Sequence, residues 1–399
     1  MTDAGAVAAL GDRSLFPDLE ARAYLNHAAI SPASRLAQER AAACLADYGR
    51  DGLGGFKAWQ PRRDALKETL AGLMGARGED LAFVLNTSTG VPDVALSLDW
   101  AAGDRVLIYE GDFPANVTPW QTAARTFGLE LEMLSMDAFH RSHEEGLAEL
   151  EARLPGARLL AVSWVRFQTG FRLPLAALGA RCRAHGVELF VDGIQGLGVV
   201  PLDVRAAGVD YLASGGHKWL MGPEGAGLLY VAPERQATLV PRTGGWLSHT
   251  DALDFLFLGK GHLRHDRPLK ATADVFERGA GNALGYAALE GSVELIAQLG
   301  PAAIFAHVQG YLDALEEGLV GRGFTSLRAA EPAARSASLC VEAPADLDGP
   351  ALQKALGARG IACAVPCGHL RFAPHWPNAN AEVPVVLGAI DDALAVLRG

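Results

Sequence analysis

Seven short runs of continuous apolar residues, separated by stretches with helical spacing, constrain this chain more than any other feature. They are AFVLN (82–86), RVLIYEG (105–111), LELEMLSM (129–136), RLLAVSWV (158–165), ELFVDG (188–193), DYLASG (210–215) and AGLLYV (226–231). Strands that are apolar along their whole length, not only at alternate positions, are buried on both faces. With helices between them, they predict a mainly parallel, seven-stranded α/β sheet covered on both sides. Just upstream, PRRDALKETLAGLMG repeats Leu66, Leu70, Leu73 and Met74 on one helix face, and Pro61 is predicted to open that helix.

Past residue 265 the pattern changes. Two long helical stretches, 282–299 and 301–321, precede short strands near 337–342, 361–365 and HLRFA, then a last helix near 383–397. The expected organisation is an N-terminal segment, 1–22, packing with the small domain; a large domain, 23–265; and a smaller C-terminal α+β domain, 266–399. No internal repeat or low-complexity linker separates them.

The formal net charge of −11 argues against a nucleic-acid partner, which requires a basic face, and against adhesion to an anionic membrane. The opening MTDAGAVAALGDRSLFPDLE carries an acid where a secretory leader needs basic residues, and no apolar run nears the ~20 residues of a membrane span. Five cysteines (44, 182, 340, 363, 367), odd in number and without paired metal-ligand spacing, suggest reduced thiols, no metal site and a cytoplasmic protein.

In open α/β sheets, ligands gather at the carboxyl ends of the strands. Three polar features fall there. NTSTG (86–90) follows a strand and precedes a helix, where hydroxyls and free N–H groups can cradle a phosphate; the plainer alternative is a helix cap. Asp192 closes an apolar strand, where a carboxylate needs a partner or caps the next turn, and Gln195 offers an amide nearby. Lys218 lies in ASGGHKWLMGPEG (213–225), followed by Trp219, Leu220 and Met221, which argue against full exposure. A partly desolvated lysine loses basicity and becomes an amine nucleophile. Together, a cradle, an acid and an amine are what pyridoxal 5′-phosphate requires: Lys218 for a Schiff base, Asp192 for the ring nitrogen and the cradle for the phosphate.

The chain resembles the class V aminotransferase family of fold-type-I pyridoxal-phosphate enzymes, which includes cysteine desulfurases, selenocysteine lyase and isopenicillin N epimerase-like proteins. The resemblance runs from YLNHAAISP (24–32) to the C-terminal helix and is most specific in VDGIQGLGVVPLDV…DYLASGGHKWLMGPEGAGLLYV. YEGDFPANVTPW, SWVRFQTGFRLPL, FERGAGN and LRFAPHWPN follow family blocks in order. It implies that Lys218 holds the cofactor and later serves as base. Asp192 would pair with the ring nitrogen and Gln195 with the ring oxygen. Thr87 and Ser88, helped by His217, would bind phosphate, and Phe113 would stack on the ring. Arg371 would clamp the substrate carboxylate, with Asn26 and His27 lining the substrate side. It also implies a homodimer whose sites are completed across the interface. Three positions depart from the family: Gly215 where a hydroxyl residue is common, leaving Ser214 beside it; Ala280 where a partner-subunit threonine is usual; and Phe167 in place of an asparagine.

The expected reaction is at the Cα of an amino acid, with transamination as the default. Elimination by a carbon–sulfur lyase (desulfurase or selenocysteine lyase) and epimerisation are the alternatives, and a non-catalytic binding protein is a reading from another class. GIACAVPCGHLRF is too short for a desulfurase's mobile loop, so Cys363 and Cys367 read as structural. Among the other histidines, His249, His262 and His265 fall in or near a solvated loop (GKGHLRHDRPLK, 259–270), and His375 sits in a family block.

Overall fold

The computed structural model describes residues 6–399; the first five residues of the expected N-terminal segment lie outside the described residues. All seven predicted strands form, in one sheet ordered Leu81–Val84, Gly227–Val231, Tyr211–Gly215, Glu188–Asp192, Ala157–Ser163, Arg105–Tyr109, Glu130–Leu134. Every pairing is parallel except those of Gly227–Val231, which runs against both its neighbours. That reversal follows from chain economy: the glycine-rich turn after Gly215 leads straight back into the adjacent strand, whereas a parallel neighbour needs a helical crossover.

Both faces are covered. On one, Val106, Ile108, Leu159, Phe190 and Ala213 pack under Val91, Val94 and Trp120 of two helices, Thr87–Ala95 and Thr118–Phe127. On the other, Leu107, Leu160, Val162, Val191 and Leu212 join the larger core that continues into the C-terminal part. Registers Ser163↔Asp192 and Asp192↔Ala213 bring three strand ends level, which sets the floor of the site.

Two expectations are corrected. Pro61 does not open its helix: the helix runs Leu53–Gly72 with Pro61 inside, because the break falls at Gly52, whose φ of 49° ends the preceding helix, Arg35–Asp51. The strand expected near 361–365 forms only as Ile361–Ala362, and beyond it Ala364 makes an isolated antiparallel bridge to Arg371 at the edge of the small sheet. That antiparallel sheet is Thr325–Ser326, Leu339–Glu342 and Leu370–Phe372, while Ile361–Ala362 pairs in parallel with Ala23–Tyr24. The chain therefore enters along the C-terminal part, and Leu25 N donates to Ala362 O and Ala373 N to Leu25 O, each at 2.8 Å. Helices Ala283–Leu299 and Pro301–Val320 form as expected. The first packs on Arg35–Asp51, joined by Arg40 and Glu294 at 3.0 Å. Among the described residues, no single helix is long and apolar enough to cross a membrane.

Candidate active site

A cavity of about 310 Å3 opens at the carboxyl ends of the parallel strands and is lined by Lys218, Asp192, Gln195, Arg371, Phe113 and Phe167, among others. Five segments far apart in sequence supply them, and each is placed by its own local chemistry.

Asp192 ends its strand 2% exposed, and its Oδ1 accepts the Ile194 N–H at 3.0 Å. Burial pushes its carboxyl up to about 7; the Ile194 N–H opposes the rise, Asp112 adds to it and Lys218 opposes it. Lys218 lies on the turn after the next strand. Burial brings its amine down to about 8, Asp192 opposing and Arg371 reinforcing the shift. Its Nζ stands 5.7 Å from the centroid of the Phe113 ring, and among the described residues no carboxylate forms an ion pair with it. Gln195 is oriented at both ends of its amide: Nε2 donates to Ala28 O at 3.1 Å, and Oε1 accepts Trp219 Nε1–H at 3.0 Å. One Nε2 hydrogen stays free, since an amide nitrogen carries two.

Arg371 reaches the same cavity from the small sheet. Its Nη1 donates to Phe167 O at 3.1 Å, its Nε is buried without a partner, and no carboxylate pairs with it among the described residues. Burial lowers its pKa, opposed by Cys340. An uncompensated buried guanidinium is costly unless an anion completes it.

The other predicted residues lie around this centre rather than on its wall. Thr87 and Ser88 begin the helix Thr87–Ala95 behind the N-cap Asn86, which accepts the Thr89 N–H at 3.0 Å. Their own N–H groups precede the first intrahelical donor, so they are available to an anion. Ser88 is exposed, whereas Thr87 is buried with Oγ1 accepting Gly215 N–H at 3.1 Å. His217 is half-buried, and burial lowers its pKa. A Cβ on Gly215 would meet the His217 ring at 2.9 Å, so glycine at this departure makes room for the histidine. Ser214 spends its hydroxyl on Gly215 O at 3.2 Å. Asn26 and His27 do not line the cavity; their neighbours Ala28 and Ala29 do. His27 is 1% exposed, with Nδ1 2.7 Å from Ser31 Oγ and its ring edge-on to His375. His375 Nε2 donates to Trp219 O at 2.9 Å. His249, His262 and His265 lie away from the cavity, as does exposed Ala280.

Sequence reasoning missed Asp112, Ser163 and Ser31. Asp112 accepts from Phe113 N at 3.1 Å, Asn116 Nδ2 at 3.0 Å and Ser163 N at 3.1 Å, and stands 3.2 Å from Arg166 Nη1. It thereby fixes the loop that carries Phe113. Its signal was the acid inside YEGDFPAN, directly after a strand. Cys363 is buried and burial pushes its thiol up to about 12, while Cys367 is exposed on a turn with φ of 54°.

These residues suit pyridoxal phosphate. Arg371 Nε, Ser163 Oγ and Asn26 Oδ1 are buried polar atoms without partners near the cavity. The acid, the amine of lowered basicity and the open helix N-terminus complement a ring nitrogen, an aldehyde and a phosphate. Fold and site together define a fold-type-I enzyme that uses this cofactor. The family profile described as Aminotransferase class-V matches residues 59–376, and the chain belongs to that family. It is 29% identical to isopenicillin N epimerase of Streptomyces clavuligerus over 346 residues, 84% of this chain and 83% of that one. It is 32% identical to a cysteine desulfurase of Klebsiella pneumoniae over 248 residues, 60% of this chain. That match spans only 57% of the desulfurase's length. The solved complex of the cystine C-S lyase C-DES with cysteine persulfide superposes with a TM-score of 0.85 at 25% identity, covering 94% of this chain and 99% of that one.

Proposed function

We propose that this enzyme acts at the Cα of an amino acid and expels a sulfur leaving group from Cβ, as a carbon–sulfur lyase rather than an aminotransferase. The observation that carries the reading is one cavity holding both a weakly basic amine, Lys218, and an unpaired buried guanidinium, Arg371. The relatives named above are a desulfurase, an epimerase and a C-S lyase, and none is a transaminase.

Pyridoxal phosphate, when bound, supplies a carbonyl for an amine to condense with and a ring that takes up the electron pair of a Cα bond. In this reading Lys218 holds it, Asp192 faces its ring nitrogen, the free Nε2 hydrogen of Gln195 meets its ring oxygen and Phe113 covers its face. Thr87, Ser88 and His217 take the phosphate. Arg371 grips the substrate carboxylate and so fixes which Cα bond faces Lys218. With its amine brought down to about 8, Lys218 has a neutral fraction near neutral pH and removes the Cα proton at Nζ. Asp192, at about 7 and 2% exposed, keeps or shares a proton at its carboxyl oxygen beside the hydrocarbon of Val165 and Ile194.

A persulfide-forming desulfurase needs a thiolate nucleophile. Cys363 is buried and weakly acidic, and Cys367 sits on a three-residue turn with little reach, which favours elimination driven by Lys218 alone. Epimerisation is the second reading, supported by the length of the epimerase match. A homodimer belongs to the same proposal: the exposed Phe255, Leu256, Phe257 and Leu258, next to Trp246, offer a face to a second copy. The test is incubation of the loaded protein with S-methyl-L-cysteine and L-cysteine in deuterated water. Pyruvate with released sulfur supports the lyase. Racemised, deuterated substrate without pyruvate supports the epimerase, and oxo-acid formation only with an added acceptor would restore the aminotransferase.

A further inference from the structure

Every charged group on the cavity wall already has a task in the proposed function, and what remains of the wall is almost entirely hydrocarbon. Lys218, Asp192 and Arg371 are the charges, Gln195 and Ser163 the neutral polar groups, and Ala28, Ala29, Val165, Ile194 and Pro366 join the two phenylalanines on the rest of the lining. The Phe113 and Phe167 rings meet edge to face, centroids 5.3 Å apart at 84°. This aromatic pair lines the cavity together with the two cationic groups: Lys218 Nζ is 5.7 Å from the Phe113 ring, and Arg371 Nη1 is tethered to the Phe167 carbonyl at 3.1 Å. Phe167 thus does two things at once, holding the guanidinium with its backbone and closing the wall with its ring.

We propose that Phe167 is a specificity-determining residue, and that with Phe113 it restricts the site to amino acids whose side chains carry no charge. The inference rests on the reading of the cavity as an amino-acid site and names the substrate class for it. A side-chain carboxylate or ammonium entering here would lose its water and find no counter-ion, since Arg371 holds the α-carboxylate. Turning the substrate round, so that a side-chain carboxylate takes Arg371, leaves the α-carboxylate unpaired against the same hydrocarbon. Thioether and aliphatic side chains carry no charge to desolvate on entry and gain contact with this hydrocarbon. The uncommitted hydroxyl of Ser163 is the one neutral polar group with no partner on this wall.

The experiment is an equilibrium titration of the cofactor-loaded protein, read by its visible absorption, with L-leucine, S-methyl-L-cysteine, L-aspartate, L-glutamate and L-lysine. The uncharged pair is expected to bind at least about tenfold more tightly than the three charged ligands. Phe167→Asn is expected to shrink that ratio by about tenfold, and Phe167→Leu, which keeps an apolar wall, to preserve most of it. Charged ligands binding as tightly as leucine would overturn the substrate class while leaving Cα chemistry intact. An unchanged ratio in Phe167→Asn, with the cofactor band retained, would overturn the role of Phe167. Absence of any spectral response to all five ligands would overturn the amino-acid reading itself, and this inference with it. Should Phe167→Asn fail to fold, Phe113→Ala reads the other half of the wall and is expected to shrink the same ratio.

Discussion

The hydroxyl of Ser31 donates its single hydrogen to the carbonyl oxygen of Lys218 at 2.6 Å, across 187 residues of sequence. Because that hydrogen is spent, His27 must donate Nδ1–H to Ser31 Oγ at 2.7 Å, and the Ser31 N–H adds a bond to His217 O at 2.8 Å. The backbone that presents the amine is therefore held by the N-terminal loop as well as by its own turn.

Replacing Ser31 by alanine removes this latch and leaves the Lys218 carbonyl short of a donor. The expected cost is about 1 kcal/mol of stability, with a fall in kcat/KM of about tenfold as the amine loses its fixed position. Denaturant unfolding and steady-state kinetics on the same preparation separate the two effects. Ser31→Thr, which keeps the hydroxyl, should recover most of the activity.

Lys218 should react as an amine at unusually low pH. In cofactor-free protein, acylation of Lys218 followed by peptide mapping should reach half its maximal rate near pH 8, whereas an ordinary lysine does so near 10.5. Burial is the cause, so the profile should move up when Phe113→Ala opens the site to water. In the loaded protein, borohydride should fix the cofactor mass on the Lys218 peptide, and Lys218→Ala should abolish both fixation and turnover.

Asp192 links folding to pH with a definite sign. Its carboxyl titrates near 3.8 when unfolded and is pushed up to about 7 when folded, so between those values the folded state holds a proton that the unfolded state has released. Stability therefore falls as pH rises through that window. Thermal melts of cofactor-free protein should show the wild type losing stability relative to Asp192→Asn from pH 4 to 7. Parallel curves would mean that the carboxyl is not shifted.

Arg371→Ala should raise KM by about 10- to 100-fold through loss of charge-assisted hydrogen bonds to the carboxylate. Arg371→Lys should recover little, since an ammonium cannot both hold the Phe167 carbonyl and present a planar fork. Amino-acid amides, which lack the carboxylate, should bind equally poorly to wild type and variant.

The two neighbouring cysteines should separate cleanly. Cys367→Ser, at an exposed turn, should leave turnover within about twofold of wild type. Cys363→Ser should instead cost about 1–3 kcal/mol of stability by burying a hydroxyl in an apolar place. Loss of activity in Cys367→Ser, with the fold intact, would point to thiol-dependent desulfuration instead of elimination.

Much of this protein is written locally. Short apolar runs between helical stretches are what the strands of a covered sheet require, so all seven strands were legible, although Glu130–Leu134, on the sheet edge, is exposed or half-buried except at Leu134; so were the long C-terminal helices and the acid and lysine that end or follow particular strands. Residues singled out by type also come together: Lys218, Asp192, Gln195 and Arg371 line one cavity. What sequence could not reveal is anything that depends on a partner distant along the chain. Pro61 was misplaced because the competing break at Gly52 is a matter of backbone angle, and the partner of strand Ile361–Ala362 could not be read because it lies at the other end of the chain. His27 reads as a substrate-facing residue until Ser31 and His375 are seen to enclose it. How far Lys218 loses basicity, and the unsatisfied guanidinium of Arg371, belong to tertiary structure. Burial and hydrogen-bond accounting are properties of the space around a side chain, and that space is assembled from several distant parts of the chain.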